Sequence, residues 1–354
     1  MKKTVKIGVM TFSPMTLNPG TVLQSWSLCH FLDSIPGIES EVIWYRSNKS
    51  NNHSIFSLRA SLKTLYIRFF QLLHCGFARK IRKYPTDRPL VRATVSSING
   101  RYDMILVGSD QVWNPKITGN DNSFFLDFVK NAKKAAYAPS IGKDDWSDDI
   151  KAEIQGFLND FEFIGIREKT SIPAVEKLSK KTVHWSIDPT FLINKTEWSK
   201  IALAPNKKKD SYIMGYCIKR KNKFPAYAHA IEYAAKTLGI PSIEINKMHV
   251  GTDEWLGYLL NAKMVITDSF HGMAFSINNN IPFYVLISSS RNRITSLLNI
   301  LGLEDRLITS ADEMDFTKEI DWEPINKKLE ELRKENQTWL KESIYEALKD
   351  KGEA

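Results

Sequence analysis

The chain has 354 residues, 43% hydrophobic and 25% charged, which suits one large globular domain or two and excludes a disordered or collagen-like chain. Lys and Arg outnumber Asp and Glu by 49 to 40, a formal charge of +9; that balance favours anionic partners such as phosphorylated substrates, anionic lipid or nucleic acid. Cys29, Cys75 and Cys217 sit in apolar context without CxxC spacing, and no run approaches the roughly 18 apolar residues of a membrane span, so a disulfide frame, a zinc site and a spanning helix are not expected.

Apolar runs alternate with amphipathic stretches along most of the chain, the pattern of parallel α/β folds. In chain order it predicts a strand at 6–12, a helix at about 21–33, a strand at 41–45 and a long basic helix at 55–83. From Ile55 to Arg92 there are nine Lys or Arg and one acid, Asp87. Strands follow at 103–107, 135–139, 163–167 and 184–187, the last stopped by Asp188-Pro189. The polar stretch 204–210 reads as a linker. A second series has strands at 212–218, 242–245, 264–267 and 283–287, with helices up to 238, near 254–262, from 271 and at 294–301. A charged helix at 322–348 closes the chain; it either crosses back onto the first lobe or forms a dimer contact.

The pattern therefore predicts two Rossmann-like lobes with a central cleft, residues 1–204 and 205–320, followed by a C-terminal helical segment 321–354. In open α/β sheets ligands sit at the carboxyl ends of strands, so the strand-end loops are where chemistry is expected.

Thr267-Asp268-Ser269-Phe270-His271-Gly272 joins a buried strand to a helix. A helix N-terminus offers unpaired N–H groups to an anion, and a histidine there can move a proton beside it. Asn18-Pro19-Gly20 is either an anion cradle or an ordinary cap and turn. Gly108-Ser109-Asp110-Gln111-Val112-Trp113 offers donors and acceptors for sugar hydroxyls and an indole to stack on a sugar; the alternative is a polar turn over a core tryptophan. Arg167 at a strand end suits a carboxylate or phosphate, or else pairs with a nearby acid. Arg291 and Arg293 follow a later strand. GxGxxG, the P-loop pattern, HExxH and nucleic-acid motifs are all absent from the sequence; neither a metal nor a nucleic-acid partner is expected.

Taken in order, these loops resemble the polysaccharide pyruvyl transferase family. The likeness rests on Asn18-x-Gly20 with Leu23-Gln24-Ser25-Trp26, Val107-Gly108-Ser109-Asp110-Gln111-Val112-Trp113-Asn114, Ser140-Ile141-Gly142, Arg167-Glu168-Lys169-Thr170-Ser171, Asp188-Pro189-Thr190-Phe191-Leu192 and Ser269-Phe270-His271-Gly272. The stretch from Asn292-Arg293-Ile294 to Arg306 adds to it. The resemblance implies a GT-B-like architecture and a pyruvyltransferase that uses phosphoenolpyruvate as donor and no further cofactor. The group would pass to two hydroxyls of a sugar in an envelope or capsular polysaccharide or its lipid-diphosphate-linked precursor, giving a cyclic ketal and phosphate. His271 would be the acid, with Arg167 and Arg293 holding the donor; Asn18, Gly20, Gly108, Ser109, Asp110, Trp113, Ser140, Gly142, Ser269, Gly272, Arg291 and Arg293 are the expected substrate contacts. Many members carry arginine two residues before the motif histidine, whereas this chain has Ser269; Arg291 or Arg293 would replace it, with Arg293 favoured. The expected location is cytoplasmic, with the basic helix resting on the inner face of an anionic membrane. A nucleotide-sugar glycosyltransferase of the same architecture, with Glu244 or Glu254 at the ribose, is the alternative. A non-catalytic polyanion- or polysaccharide-binding protein is a second, and the Gly- and Arg-bearing strand ends weigh against it.

Overall fold

The computed structural model describes residues 4–12, 16, 18–47, 86, 88–205, 211–218, 224–245, 250–287 and 292–349. The expected basic helix at 55–83 and Arg291 lie outside the described residues.

Two parallel sheets organise the molecule. The first has strands β1 (Val5–Met10), β2 (Ile38–Val42), β3 (Met104–Val107), β4 (Lys133–Tyr137), β5 (Phe161–Ile166) and β6 (Val183–Trp185), in the order β2-β1-β3-β4-β5-β6. The second has β7 (Ile213–Tyr216), β8 (Ser242–Glu244), β9 (Met264–Thr267), β10 (Phe283–Leu286) and β11 (Leu307–Ile308), in the order β11-β10-β9-β7-β8. The sequences MILV, MVIT and FYVL are buried at every position, as parallel strands covered on both faces must be. Strand order reverses beside β1 and β3 in the first sheet and beside β7 and β9 in the second. At such reversals the loops diverge and leave a crevice. The result is a two-lobed, GT-B-like α/β plan.

The second strand differs from expectation, starting at Ile38 rather than 41. A left-handed turn at Gly37 (φ 83°) feeds the chain directly into pairing with β1. β2 is an edge strand, where Glu39, Ser40 and Glu41 are tolerated beside solvent; its apolar signal is correspondingly weak. Tyr45 makes an isolated bridge to Leu90 instead.

The helices used below are α1 (Pro19–Asp33), α2 (Asp148–Asn159), α3 (Ile172–Ser179), α4 (Pro225–Leu238), α5 (Thr252–Leu260), α6 (Phe270–Asn278), α7 (Asn292–Leu301) and α8 (Trp322–Leu348). α1 is buried almost all round because it lies at the junction of the lobes. Trp26 on α1 packs on Trp198 (centroids 5.4 Å apart), Trp198 on Phe275 (4.9 Å) and Phe275 on Trp255 (5.6 Å). This aromatic chain runs from the first lobe into the second and makes one continuous core of the two.

α8 resolves the open choice by crossing back. Ile325, Leu329, Leu332, Leu340 and Ile344 form its buried stripe. Trp339 stacks on His184 at 4.1 Å, and the Asn336 side-chain carbonyl accepts the backbone N–H of Ile187 (3.1 Å). Arg333 Nε donates to the Phe191 carbonyl (2.7 Å) while its Nη2 donates to Asn278 Oδ1 (2.9 Å). The helix thus fastens the loop after β6 and the C-terminal end of α6 together. Among the described residues no helix is long and apolar enough to cross a membrane.

Candidate active site

The turn after β9 is built by its own small polar groups. Thr267 Oγ1 donates to the Tyr216 carbonyl at the end of β7 (2.6 Å) and accepts from Ser269 N (3.0 Å). Asp268 Oδ1 accepts from Ile218 N (2.6 Å). Ser269 caps α6 by accepting from Gly272 N (3.3 Å). His271 therefore stands in the first turn of α6, at the strand reversal of the second sheet.

The first lobe meets it with three strand-end loops. Asp188, after β6, lies at the centre. Its Oδ1 accepts from Thr190 N (3.1 Å) and Oγ1 (2.9 Å); its Oδ2 accepts from Ser109 Oγ (3.0 Å) and Arg167 Nη1 (2.6 Å). The same Oδ2 is 3.8 Å from His271 Nε2. Arg293, in the first turn of α7, points its Nη1 at Asp110 Oδ1 across the cleft, 3.9 Å away. Both guanidiniums lie against the Phe270 ring, at 4.8 Å for Arg167 and 5.4 Å for Arg293. Arg167, Arg293, Trp185, Phe191, Phe270 and Leu297 are among the walls of a cavity between the loops; Asp188 also lines it, and His271 stands behind Asp188.

Arg167 is 4% exposed, and its Nε and Nη2 have no hydrogen-bond partner. Half of a buried guanidinium is thus left for a ligand, since an unpaired buried donor is costly. His271 Nε2 is likewise buried without a partner. Burial is the main influence on this imidazole and pushes its pKa below the ordinary histidine value; Asp188 and Asp110 pull it up, Arg167 and Arg293 push it down. It is neutral near neutral pH in the free protein. Burial alone would raise Asp188, but a protonated His271, the Arg167 charge and the two Thr190 bonds prevail and hold its pKa low. With His271 neutral, Arg167 and Thr190 carry that effect. Glu168, fully buried and bonded to Ser140 Oγ, goes the other way: burial raises its pKa against the pull of Arg167, Ser140 and Arg293.

Several expected contacts are taken up by the fold itself. Trp113 is 1% exposed, stacks on Phe125 at 5.3 Å and donates its indole N–H to the Phe124 carbonyl (2.9 Å), so it is a core residue and no sugar platform. Ser109 is buried and faces Asp188 rather than solvent. Ser140 serves Glu168. Asn18 caps α1 through Gly20 N (3.2 Å), and a side chain at Gly20 would overlap the His271 ring. Gly142 has φ 73°, and a Cβ there would strike Asn114. Gly108 and Gly272 pack against Val9 and Thr267. Asp110 also has a left-handed backbone (φ 80°), with its Oδ2 accepting from Thr21 Oγ1 (3.1 Å). It stands at the cleft mouth with a side chain 12% exposed. Glu254 accepts from Gly251 N (2.8 Å) as a cap of α5. Asp188 and Glu168 lie within quoted motifs, yet neither is among the expected contacts; an acid directly after a short strand was their only individual signal. Among the described residues no group of three or more His, Cys, Asp or Glu is placed to hold a metal ion.

A family model described as polysaccharide pyruvyl transferase matches residues 18–290. No curated protein sequence matches the chain. Among solved structures it is similar to MnaA of S. aureus in a structure with UDP, at 12% identity and TM-score 0.49 over 94% of this chain and 90% of that one. It is similar to UDP-GlcNAc 2-epimerase from Neisseria meningitidis bound to UDP-GlcNAc, at 9% identity and TM-score 0.48 over 97% and 100%. It is also similar to a variant of the wall teichoic acid polymerase TagF, at 10% identity and TM-score 0.47 over 100% and 91%.

Proposed function

The chain belongs to the polysaccharide pyruvyl transferase family, and on that premise we propose that it moves the pyruvyl group of phosphoenolpyruvate onto two hydroxyls of a sugar, in an envelope or capsular polysaccharide or its lipid-linked precursor. The observation that carries this reading is the half-paired guanidinium of Arg167, facing Arg293 across a cavity at the start of α6. Two forked cations beside a helix N-terminus suit a small ligand bearing both a carboxylate and a phosphate.

In the proposed reaction a proton passes from the His271 imidazolium to the methylene carbon of the donor. The oxocarbenium that develops is attacked by one sugar hydroxyl. The C–O bond to phosphate then breaks, and the second hydroxyl closes the ketal. One hydroxyl proton restores the imidazolium, and the other leaves with phosphate. Arg167 and Arg293 hold the donor anions, and Asp110 at the cleft mouth faces the acceptor. Contact with an anionic membrane through residues 55–83 would bring the enzyme to a lipid-linked acceptor.

The experiment measures phosphate release from phosphoenolpyruvate with lipid-linked galactose, mannose and amino-sugar acceptors, beside nucleotide-sugar donors as control. Acceptor-dependent phosphate release with an acid-labile product supports the reading. Turnover confined to a nucleotide sugar replaces it with glycosyl transfer.

A further inference from the structure

This inference rests on the anion cleft proposed above. Charged groups face His271 from four elements: Asp188 after β6, Arg167 after β5, Asp110 after β3 and Arg293 on α7. Two anions and two cations cancel. What remains is burial together with the N-termini of α6 and α1, and all of these disfavour imidazolium. The nearest acceptor for Nε2 is Asp188 Oδ2 at 3.8 Å, an oxygen already engaged by Arg167 and Ser109. That distance is too long for a hydrogen bond and short enough for an ion pair. An anion set against Nε and Nη2 of Arg167 changes the sum. It adds negative charge close to the ring and offsets the fields of both arginines. A proton on Nε2 then has a carboxylate waiting, and Nδ1 becomes the acidic position.

We propose that anion binding between Arg167 and Arg293 drives uptake of one proton from solvent onto His271, and that Asp188 is the positioning residue that receives the Nε2–H. The buffer gives up the proton; no other bond changes. The acid is then armed by the donor itself, and the sugar acceptor alone leaves His271 neutral.

The test follows the His271 ring by NMR across a pH series, its signal identified by loss in His271→Gln. Sulfate is the probe, because it stays a dianion throughout. The expected result is a rise in the His271 pKa of about one unit or more with saturating sulfate, and by reciprocity a sulfate Kd that tightens roughly tenfold from about pH 8 to about pH 6. In Asp188→Asn the sulfate-bound pKa falls by about one unit relative to wild type. A His271 pKa indifferent to saturating sulfate overturns the proposal. So does a bound-state value unchanged in Asp188→Asn, and so does a failure of sulfate to bind. Should that variant not fold, wild type decides: a hydrogen-bonded Nε2–H resonance must appear with sulfate and be missing without it. Sulfate-linked protonation without any pyruvyl transfer would remove the proposed reaction and leave this coupling standing.

Discussion

Gly20 and His271 are packed face to face: a methyl group at residue 20 would overlap Nδ1, Cγ and Cβ of the histidine. The start of α1 in the first lobe therefore sets the rotamer of a side chain in the second. Gly20→Ala would gain up to about 1 kcal/mol in helix propensity at an open position. Here it must instead push the ring off its place, and we expect kcat to fall at least tenfold, on the order of the loss that follows a misplacement of about 1 Å. Steady-state kinetics beside chemical denaturation checks this; unchanged turnover in a folded variant would show that the ring position is unimportant.

His271→Ala should lower kcat by roughly a hundredfold or more while phosphoenolpyruvate still binds, since the arginines remain. Single-turnover measurement with saturating donor separates the two effects. Near-normal turnover would move the acid elsewhere, and buried Glu168 would be the first place to look.

Arg293 stands beside Phe270, close to the position left short of charge by Ser269. Arg293→Ala is expected to raise the donor KM about tenfold or more, the scale of a lost charge-assisted bond. Donor KM and turnover both intact would rule out Arg293 as the substitute. Arg167→Lys should be worse than its charge suggests, because a lysine cannot bond Asp188 and a ligand in the same plane.

Glu168 gives a prediction for stability. Its folded pKa is raised, chiefly by burial, so the fold favours the protonated form. That contribution is complete below the unfolded value of about 4.3 and disappears as pH rises through the folded pKa. Glu168→Gln keeps an acceptor for Ser140 and cannot ionise. Its stability relative to wild type should therefore climb with pH from the mid-acid range upward, by up to about 1.4 kcal/mol per unit, and then level off. Thermal melts across a pH series read this directly; a constant difference between the two proteins would contradict it.

What was legible in the sequence is what short-range chemistry encodes. β3, β9 and β10 are unbroken apolar runs followed by small polar residues, and a buried parallel strand has few other ways to look. Edge strand β2 was displaced because its polar residues blur the alternation. At the site, the strand-end turns were visible but their partners were not. Asp188 reads only as the residue before a proline. Its place between Arg167 and His271 comes from the docking of two lobes, which no local pattern carries. Ser109 and Trp113 were misassigned for the same reason: a polar turn and an indole look alike in sequence whether they face a ligand or a core.

Asn336→Ala tests the strap formed by α8. It leaves the Ile187 N–H buried without its acceptor, a cost of about 1–3 kcal/mol. Because Ile187 adjoins Asp188, activity should fall further than the lost stability alone accounts for. Equal activity per folded molecule would show that the strap supports the fold without touching the chemistry.

The same helix sets an order of events during synthesis. Both sheets, His271 and every first-lobe strand end are made before Trp322–Leu348 leaves the ribosome. Until it does, Ile187 and Phe191 lack their partners and the loop holding Asp188 is unfastened. A nascent chain can fold its first lobe early, as domains do, but its charge cluster is assembled last. The enzyme emerges from translation with its lobes made and its chemistry still switched off.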